Sequence, residues 1–304
     1  MYSLGRKSRR VIEESREKIA DILNVKKNEI YFTSCGSESD NLAIKGIAYA
    51  NKNRGNHIIT SKIEHPAVIN TCKTLERQGY RVSYINVDNN GVINLEELEK
   101  AICHDTILIT IMFANNEIGT IEPIDEINKL AKKHNIIFHT DAVQVVGNLR
   151  IDLEKLGVDL LSMSAHKFYG PKGIGALYVK EGIEFERVQD GGHQEKNKRA
   201  GTENVAGIVG IAKALELSMT NIENRKEHIE RLRDFYISEV KKRIPNVKVN
   251  GNNNCTLPGI ANISFDGVIG EDIVLNLDMK GICASSGSAC TSGQNTTSHV
   301  LSAI

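Results

Sequence analysis

The chain has 304 residues with balanced charge, 38 basic against 38 acidic side chains, and 40% of its residues are hydrophobic. That length buries a large core and allows one or two domains. The balance leaves no basic patch for direct nucleic-acid binding and no polybasic tail for a membrane surface, and no apolar run is long enough to span a bilayer. Arg6, Lys7, Arg9 and Arg10 lead into a charged amphipathic segment, not an apolar signal core. A soluble cytoplasmic protein is expected.

In chain order, apolar residues at Val11, Ile12, Ile19, Ile22 and Leu23 predict a helix over 11–23. A strand is expected over 29–33 and a helix over 38–51. Strand, helix and strand follow over 57–61, 66–79 and 81–87, then a helix over 95–102. A buried strand is expected over 106–112, a helix over 124–133 and a strand over 136–139. Further strands are expected over 158–163 and 174–179. A long charged helical region covers roughly 205–244, and a strand over 260–265 and a helix over 271–277 close the pattern. Strands alternating with helices imply an α/β fold with a mainly parallel sheet, in which ligands collect at the carboxyl ends of strands. The change of composition near residue 220 divides the chain into a large domain, 1–220, and a smaller C-terminal one, 221–304.

Polar residues cluster at the predicted strand ends. Lys167 follows His166 at the end of an apolar run and precedes the turn of Gly170, Pro171 and Gly173. A long amine there is placed either to form a Schiff base with an aldehyde cofactor or simply to lie in water. Gly36 and Ser37 open a helix, which provides an anion site, while Ser37 with Asp40 also reads as a capping box. His65, before Pro66, reads either as a helix cap or as a ring lying flat on an aromatic cofactor. Asn115, Asn116 and Glu117 end another strand ahead of Gly119, with an amide able to donate to a phenolic oxygen, or turn chemistry as the alternative. Asp141 reads as a helix cap or as the partner of a protonated ring nitrogen, with Gln144 a donor to a ring oxygen. The glycine-rich tract 191–204 reads as a phosphate or subunit contact, or as a solvated loop.

The six cysteines form no C-x-x-C pair and suggest neither a zinc site nor a disulfide framework, so no metal is expected. Cys35, Cys72 and Cys103 read as small buried residues, and Cys283 as inert. Cys290 lies in the small-residue tract 284–293, which cannot pack a core and reads as a mobile loop, the setting of a reactive thiol.

Seven stretches, FTSCGSESDN, TSKIEHPAV, NNEIGT, HTDAVQ, SAHKFYGPKGIGALYV, RAGTEN and SSGSACTSG, occur in register over almost the whole chain. Together they resemble the cysteine desulfurases, the NifS/IscS-like enzymes of aminotransferase class V that depend on pyridoxal 5'-phosphate (PLP). The resemblance implies a PLP-dependent transferase of fold type I, with a mainly parallel seven-stranded sheet flanked by helices and a smaller C-terminal α+β domain. It implies that Lys167 carries the cofactor, His65 stacks on its ring and Asp141 keeps the ring nitrogen protonated, making the ring an electron sink. Asn116 and Gln144 would bond the phenolic oxygen. Gly36, Ser37, Ser164 and His166 would hold the phosphate, with Thr202 reaching it from the other subunit of a homodimer. Cys290 would take sulfur from L-cysteine as a persulfide, release alanine and pass the sulfur to an iron–sulfur scaffold protein or another acceptor, including tRNA thiolation. The alternatives are a selenocysteine lyase or another class-V enzyme, and an inactive truncated paralogue acting as a binding partner.

The chain departs from the family pattern at Cys35, where glycine is usual, at Ser37, where threonine is usual, and at Phe113, where many relatives have histidine. It also opens after the family's first strand and stops before its substrate-binding arginine, so the small domain is expected to be incomplete.

Overall fold

The computed structural model describes residues 2–252, 254–286 and 298–304. The first helix, α1 (Ser3–Leu23), starts ahead of the expected 11–23 and buries Ile12, Ile19, Ala20 and Leu23 on one face. Asn24 ends it in the left-handed region at φ 57°, which asparagine tolerates. There follow β1 (Ile30–Thr33), α2 (Gly36–Ala50), β2 (His57–Ser61), α3 (Pro66–Glu76), β3 (Arg81–Ile85), α4 (Leu95–Ala101), β4 (Thr106–Thr110), α5 (Ile124–Lys133) and β5 (Ile137–Asp141). After the short α6 (Leu153–Leu156) come β6 (Leu160–Ser164) and β7 (Gly175–Val179). The chain then forms α7 (Gln194–Asn197), α8 (Val205–Met219), α9 (Ile222–Arg243), β8 (Val247–Asn250), β9 (Asn262–Phe265), α10 (Gly270–Asp278) and α11 (His299–Ala303).

Seven strands form one sheet in the order β1-β7-β6-β5-β4-β2-β3. β7 runs antiparallel to both neighbours, and the remaining pairs are parallel. The central strands are apolar throughout because both faces are covered. Ile58, Leu108 and Leu160 join a core beneath α2 and α3, whereas the next residues, Ile59, Ile109 and Leu161, join the core on the opposite face. That two-residue alternation through a helix–sheet–helix sandwich is what a buried parallel sheet requires. α8 contributes Ile208, Ile211, Ala212 and Leu215, spaced as one helical face, and packs against α1.

The expected helical region over 205–244 is two helices meeting at 73°, broken where Asn221 adopts φ 62°. Beyond the break α9 buries only Ile222 and Val240, so periodicity there reported helix without reporting direction. β8, which has no counterpart among the expected elements, pairs antiparallel with β9. This smaller sheet is tied to the larger one at a close approach. Ile121 N–H donates to the Cys255 carbonyl at 3.1 Å, and Leu257 N–H to the Gly119 carbonyl at 2.9 Å. Gly119 holds φ 76°, and a Cβ there would lie 2.6 Å from Thr256 Oγ1. α11 is docked by its cap: the Ser298 hydroxyl donates to Glu117 Oε2 at 2.5 Å, and His299 Nε2 donates to the Glu64 carbonyl at 2.9 Å.

The tract 191–204 is not simply a solvated loop. Glu195 is buried and ion-paired to Arg16 of α1. Cys72 is buried, and burial pushes its thiol up. Cys35 and Cys103 are half-buried, and Cys283 is exposed.

Candidate active site

Because β7 is reversed, β1, β2, β4, β5 and β6 all point their carboxyl ends to one edge of the sheet. A cavity of about 290 Å³ opens there, lined by residues that follow each of those strands. Gly36, Ser37, His65, Asn116, Asp141, Gln144, Ser164, His166 and Lys167 all line it. Its size is at the lower end of the small-ligand range.

From β1, the chain enters α2 through Cys35 and Gly36. Cys35 has φ −173°, extended backbone open to any residue, so the replacement of glycine there carries no backbone penalty. Gly36 has no such latitude: a Cβ would lie 2.6 Å from Val143 Cγ2 and 3.4 Å from Ser164 Cβ. The turn therefore brings α2's first amides, which have no intrahelical acceptors, against the cavity. The expected capping box is absent among the described residues. α2 has Cys35 as N-cap with no side-chain cap, and Ser37 is exposed. Glu38 instead accepts from Ser34 N–H at 2.7 Å and from Arg199 Nε at 2.6 Å. Asp40 turns into the protein, on the helical face of Ala43, Ile44 and Ile47.

After β2, His65 bears out its reading as a helix cap, and it also reaches the cavity. It is the N-cap of α3, with Nδ1 accepting from Ala67 N–H at 3.1 Å, and it lines the cavity. Burial, with Lys167 and His299 nearby, lowers its pKa. A neutral imidazole whose Nδ1 accepts carries its proton on Nε2, a tautomer assigned from that hydrogen bond. Its neighbour Glu64 is fully buried: Oε1 accepts from Ser61 Oγ at 2.6 Å and from Met112 N–H at 2.9 Å. Burial pushes the Glu64 carboxyl up to about 8.

After β4, Asn115 braces the turn. It donates to the Ile63 carbonyl at 2.9 Å and accepts from Glu117 and Ile118 N–H, which leaves Asn116 to line the cavity. Met112 and Ala114 line it on either side of Phe113, which packs against the apolar core instead. Asp141 is the last residue of β5, not a helix cap. Its Oδ1 accepts from Val143 N–H at 2.9 Å, and burial raises its pKa to about 6 against the pull of Lys167. After β6, a 3-10 turn, Ala165–Phe168, carries Lys167 into the cavity, and Tyr169 reverses the chain at φ 64°. Ser164 Oγ and His166 Nδ1 are 3.0 Å apart.

Thr202 is not part of this cavity. It lines a separate one of about 250 Å³ with Glu195, Arg199, Glu203 and Asn204. Cys290 lies outside the described residues. The lining residues that the sequence does not single out for the site are Cys35, Met112, Ala114 and Val143, beside residues it does, together with Asp40, Ile260 and Ser285. Asp40 had a signal, an acid in register with an apolar helical stripe. Ile260 and Ser285 arrive from the C-terminal part of the chain and have no local one.

The donor set fits PLP. An amine, Lys167, faces one side of the cavity. Ligand atoms of Asp40, His65 and Asp141 lie within 4.8 Å of one another. Asp40 Oδ1 is buried without a hydrogen-bond partner among the described residues, and with Asp141 beside it this end of the cavity is acidic, suited to a protonated ring nitrogen. Gly36, Ser37, Ser164 and His166 offer amide, hydroxyl and imidazole groups suited to a phosphate.

The aminotransferase class-V family model matches residues 1–303. The chain belongs to that family, and within it to the cysteine desulfurases. It is 53% identical over 306 residues to cysteine desulfurase IscS of Clostridium botulinum, a match covering 100% of this chain and 77% of that one. In fold it is similar to a NifS-like protein, with a TM-score of 0.93, 39% identity and coverage of 99% and 80% of the two chains. It is also similar to SspA in complex with cysteine, with a TM-score of 0.85, 38% identity and coverage of 100% and 85%.

Proposed function

We propose that this desulfurase binds PLP in the strand-end cavity and converts L-cysteine to L-alanine, leaving a persulfide on Cys290. The observation that carries the reading is the convergence of Lys167, Asp141 and His65 on one cavity from three different strand ends. The relative solved with cysteine supports the substrate.

Bound through its aldehyde to the Lys167 amine, PLP supplies an electron sink for charge developing at the substrate's α-carbon. The protein's own groups do the rest. Asp141, as an anion, holds a ring nitrogen in its protonated form. The Gly36 turn, with Ser37, Ser164 and His166, would hold the phosphate. Asn116 and Gln144 would bond the phenolic oxygen. His65 would stack on the ring and present a neutral Nε2–H. Lys167 would be the group placed to move a proton at the substrate's α-carbon. The Cys290 thiolate attacks the substrate sulfur: an S–S bond forms, the C–S bond breaks and its electron pair stays with carbon, which is protonated to alanine. An unperturbed thiol with pKa ~8.5 is mostly protonated at neutral pH, so the site must help ionise Cys290.

In this reading the enzyme is a cytoplasmic homodimer in which Thr202 reaches the partner's cofactor phosphate. The persulfide passes to an iron–sulfur scaffold protein or another sulfur acceptor. The test is turnover of L-cysteine with alanine and protein-bound persulfide both measured. Lys167→Ala is expected to abolish the cofactor's visible band and both products, and Cys290→Ala to abolish the persulfide. Alanine formation unchanged in Cys290→Ala overturns the thiol mechanism, and turnover of selenocysteine alone would favour a lyase.

A further inference from the structure

Asp40 takes no part in the scheme above, yet it lies at the ring-nitrogen end of the cavity. It is 1% exposed, and its Oδ1 has no hydrogen-bond partner among the described residues. A ligand atom of its carboxyl lies within 4.8 Å of one on Asp141. Two carboxylates this close, both buried, do not both ionise. The nearest imidazole does not relieve them. His139 Nε2 is 3.8 Å from Asp40 Oδ1, but burial pushes that ring down to about 3, so it is neutral. Its nitrogens bond the hydroxyls of Thr110 at 2.8 Å and Ser162 at 3.0 Å.

One proton must therefore reside on the pair, and the surroundings choose its place. Asp141 accepts a backbone N–H and faces the Lys167 amine, both of which favour its anion. Asp40 has burial, Asp141, Glu64 and Cys35 against its anion, and only the Ser162 hydroxyl in favour, so its carboxyl is raised well above the ordinary range. We propose that Asp40 is a positioning residue of the desulfurase reaction: a neutral carboxylic acid behind Asp141 that holds the shared proton and so keeps Asp141 the single anion facing the cofactor's ring nitrogen. The proposal rests on the PLP reading for its purpose, but the proton on Asp40 is a property of the cofactor-free chain.

Infrared spectroscopy of the full chain labelled with ¹³C-aspartate tests that proton directly, because the label separates aspartate from the buried Glu64 and Glu122. At pH 7 the cofactor-free protein is expected to show the C=O band of a protonated aspartic acid, and Asp40→Asn is expected to remove it. No such band in the wild type, or a band that survives Asp40→Asn, overturns the proposal. PLP affinity is the second arm. Asp40→Asn, a neutral group able to donate, is expected to stay within about threefold of wild type. Asp40→Leu, which removes the donor, is expected to bind PLP at least about tenfold more weakly, the scale of one hydrogen bond to a charged group. Equal affinities for the two variants would reduce Asp40 to a filler of space and overturn the role. A wild-type chain that binds no PLP would refute the cofactor reading, and the infrared arm would still decide the proton.

Discussion

Arg16 and Glu195 meet in a two-pronged ion pair inside the protein: Nη1 to Oε2 and Nη2 to Oε1 are both 2.8 Å, and each side chain is 4% exposed. Arg16 Nη1 also donates to the Ile30 carbonyl at 2.8 Å, and Glu195 Oε2 accepts Phe32 N–H at 2.8 Å. The pair thus pins α1 and β1 to the tract that carries Thr202. Glu195, Lys196 and Asn197 all adopt positive φ, at 44°, 56° and 70°, an arrangement that non-glycine residues hold only when the surroundings impose it.

Removing one partner leaves the other charge buried. Arg16→Ala or Glu195→Ala is expected to cost about 3–5 kcal/mol of unfolding free energy. Replacing both, as in Arg16→Met with Glu195→Leu, removes the unpaired charge but is expected to recover only part of that loss, because the Ile30 carbonyl and Phe32 N–H then lose their partners. Denaturant unfolding of the four proteins measures the loss and its recovery.

His65 caps α3 and, in the proposed mechanism, also stacks on the cofactor, and substitution separates the two. His65→Ala loses the acceptor for Ala67 N–H and is expected to cost about 1 kcal/mol of stability. His65→Asn restores an N-cap acceptor and should regain most of it. Neither supplies a flat imidazole over the ring, and desulfurase turnover is expected to fall about 10²-fold or more in both. Thermal unfolding and alanine release, measured side by side, check the separation.

Gly36→Ala sets a Cβ 2.6 Å from Val143 Cγ2 in the turn that faces the cavity. Overpacking of this kind costs about 1–3 kcal/mol, and PLP affinity is expected to drop with it. Val143→Ala in the same chain opens the space, and the double variant should bind PLP more tightly than Gly36→Ala alone. Titration of the visible band measures both.

Glu122 lies away from the cavity, 3% exposed, with Oε2 accepting Ile93 N–H at 2.9 Å. Burial pushes it up to about 8 from 4.5. Over the interval between those values the folded state binds more protons than the unfolded chain, so stability falls as pH rises. The slope is at most about 1.4 kcal/mol per pH unit for one such group. Glu122→Gln is expected to flatten the decline, seen as a smaller difference in unfolding free energy between pH 5 and pH 8.

Much of the site is legible in the sequence because each parallel strand ends at the same edge. An apolar run followed by a polar cluster is then a local sign of the cavity, as at Asp141 and at Lys167. The same reading assigned Asp141 a possible cap because a strand end and a helix start look alike to a short window. Long-range pairing carries what was missed. The burial of Glu195 depends on an arginine 179 residues away, and Ile260 lies at the cavity where it and Thr256 pack on Gly119. The 73° break after α8 turns on one left-handed asparagine between two sequences of helical composition.

The cavity's walls come from positions as far apart in sequence as Cys35 and Ser285, and no two adjacent strands build it alone. Bringing those walls together closes long stretches of chain, which carries an entropic cost. A molecule that touches all of those walls at once binds only the completed sheet, and mass action then stabilises the whole large sheet rather than one loop. Cofactor uptake during refolding should accordingly be all-or-none, and its loss an early sign that any one strand has come away.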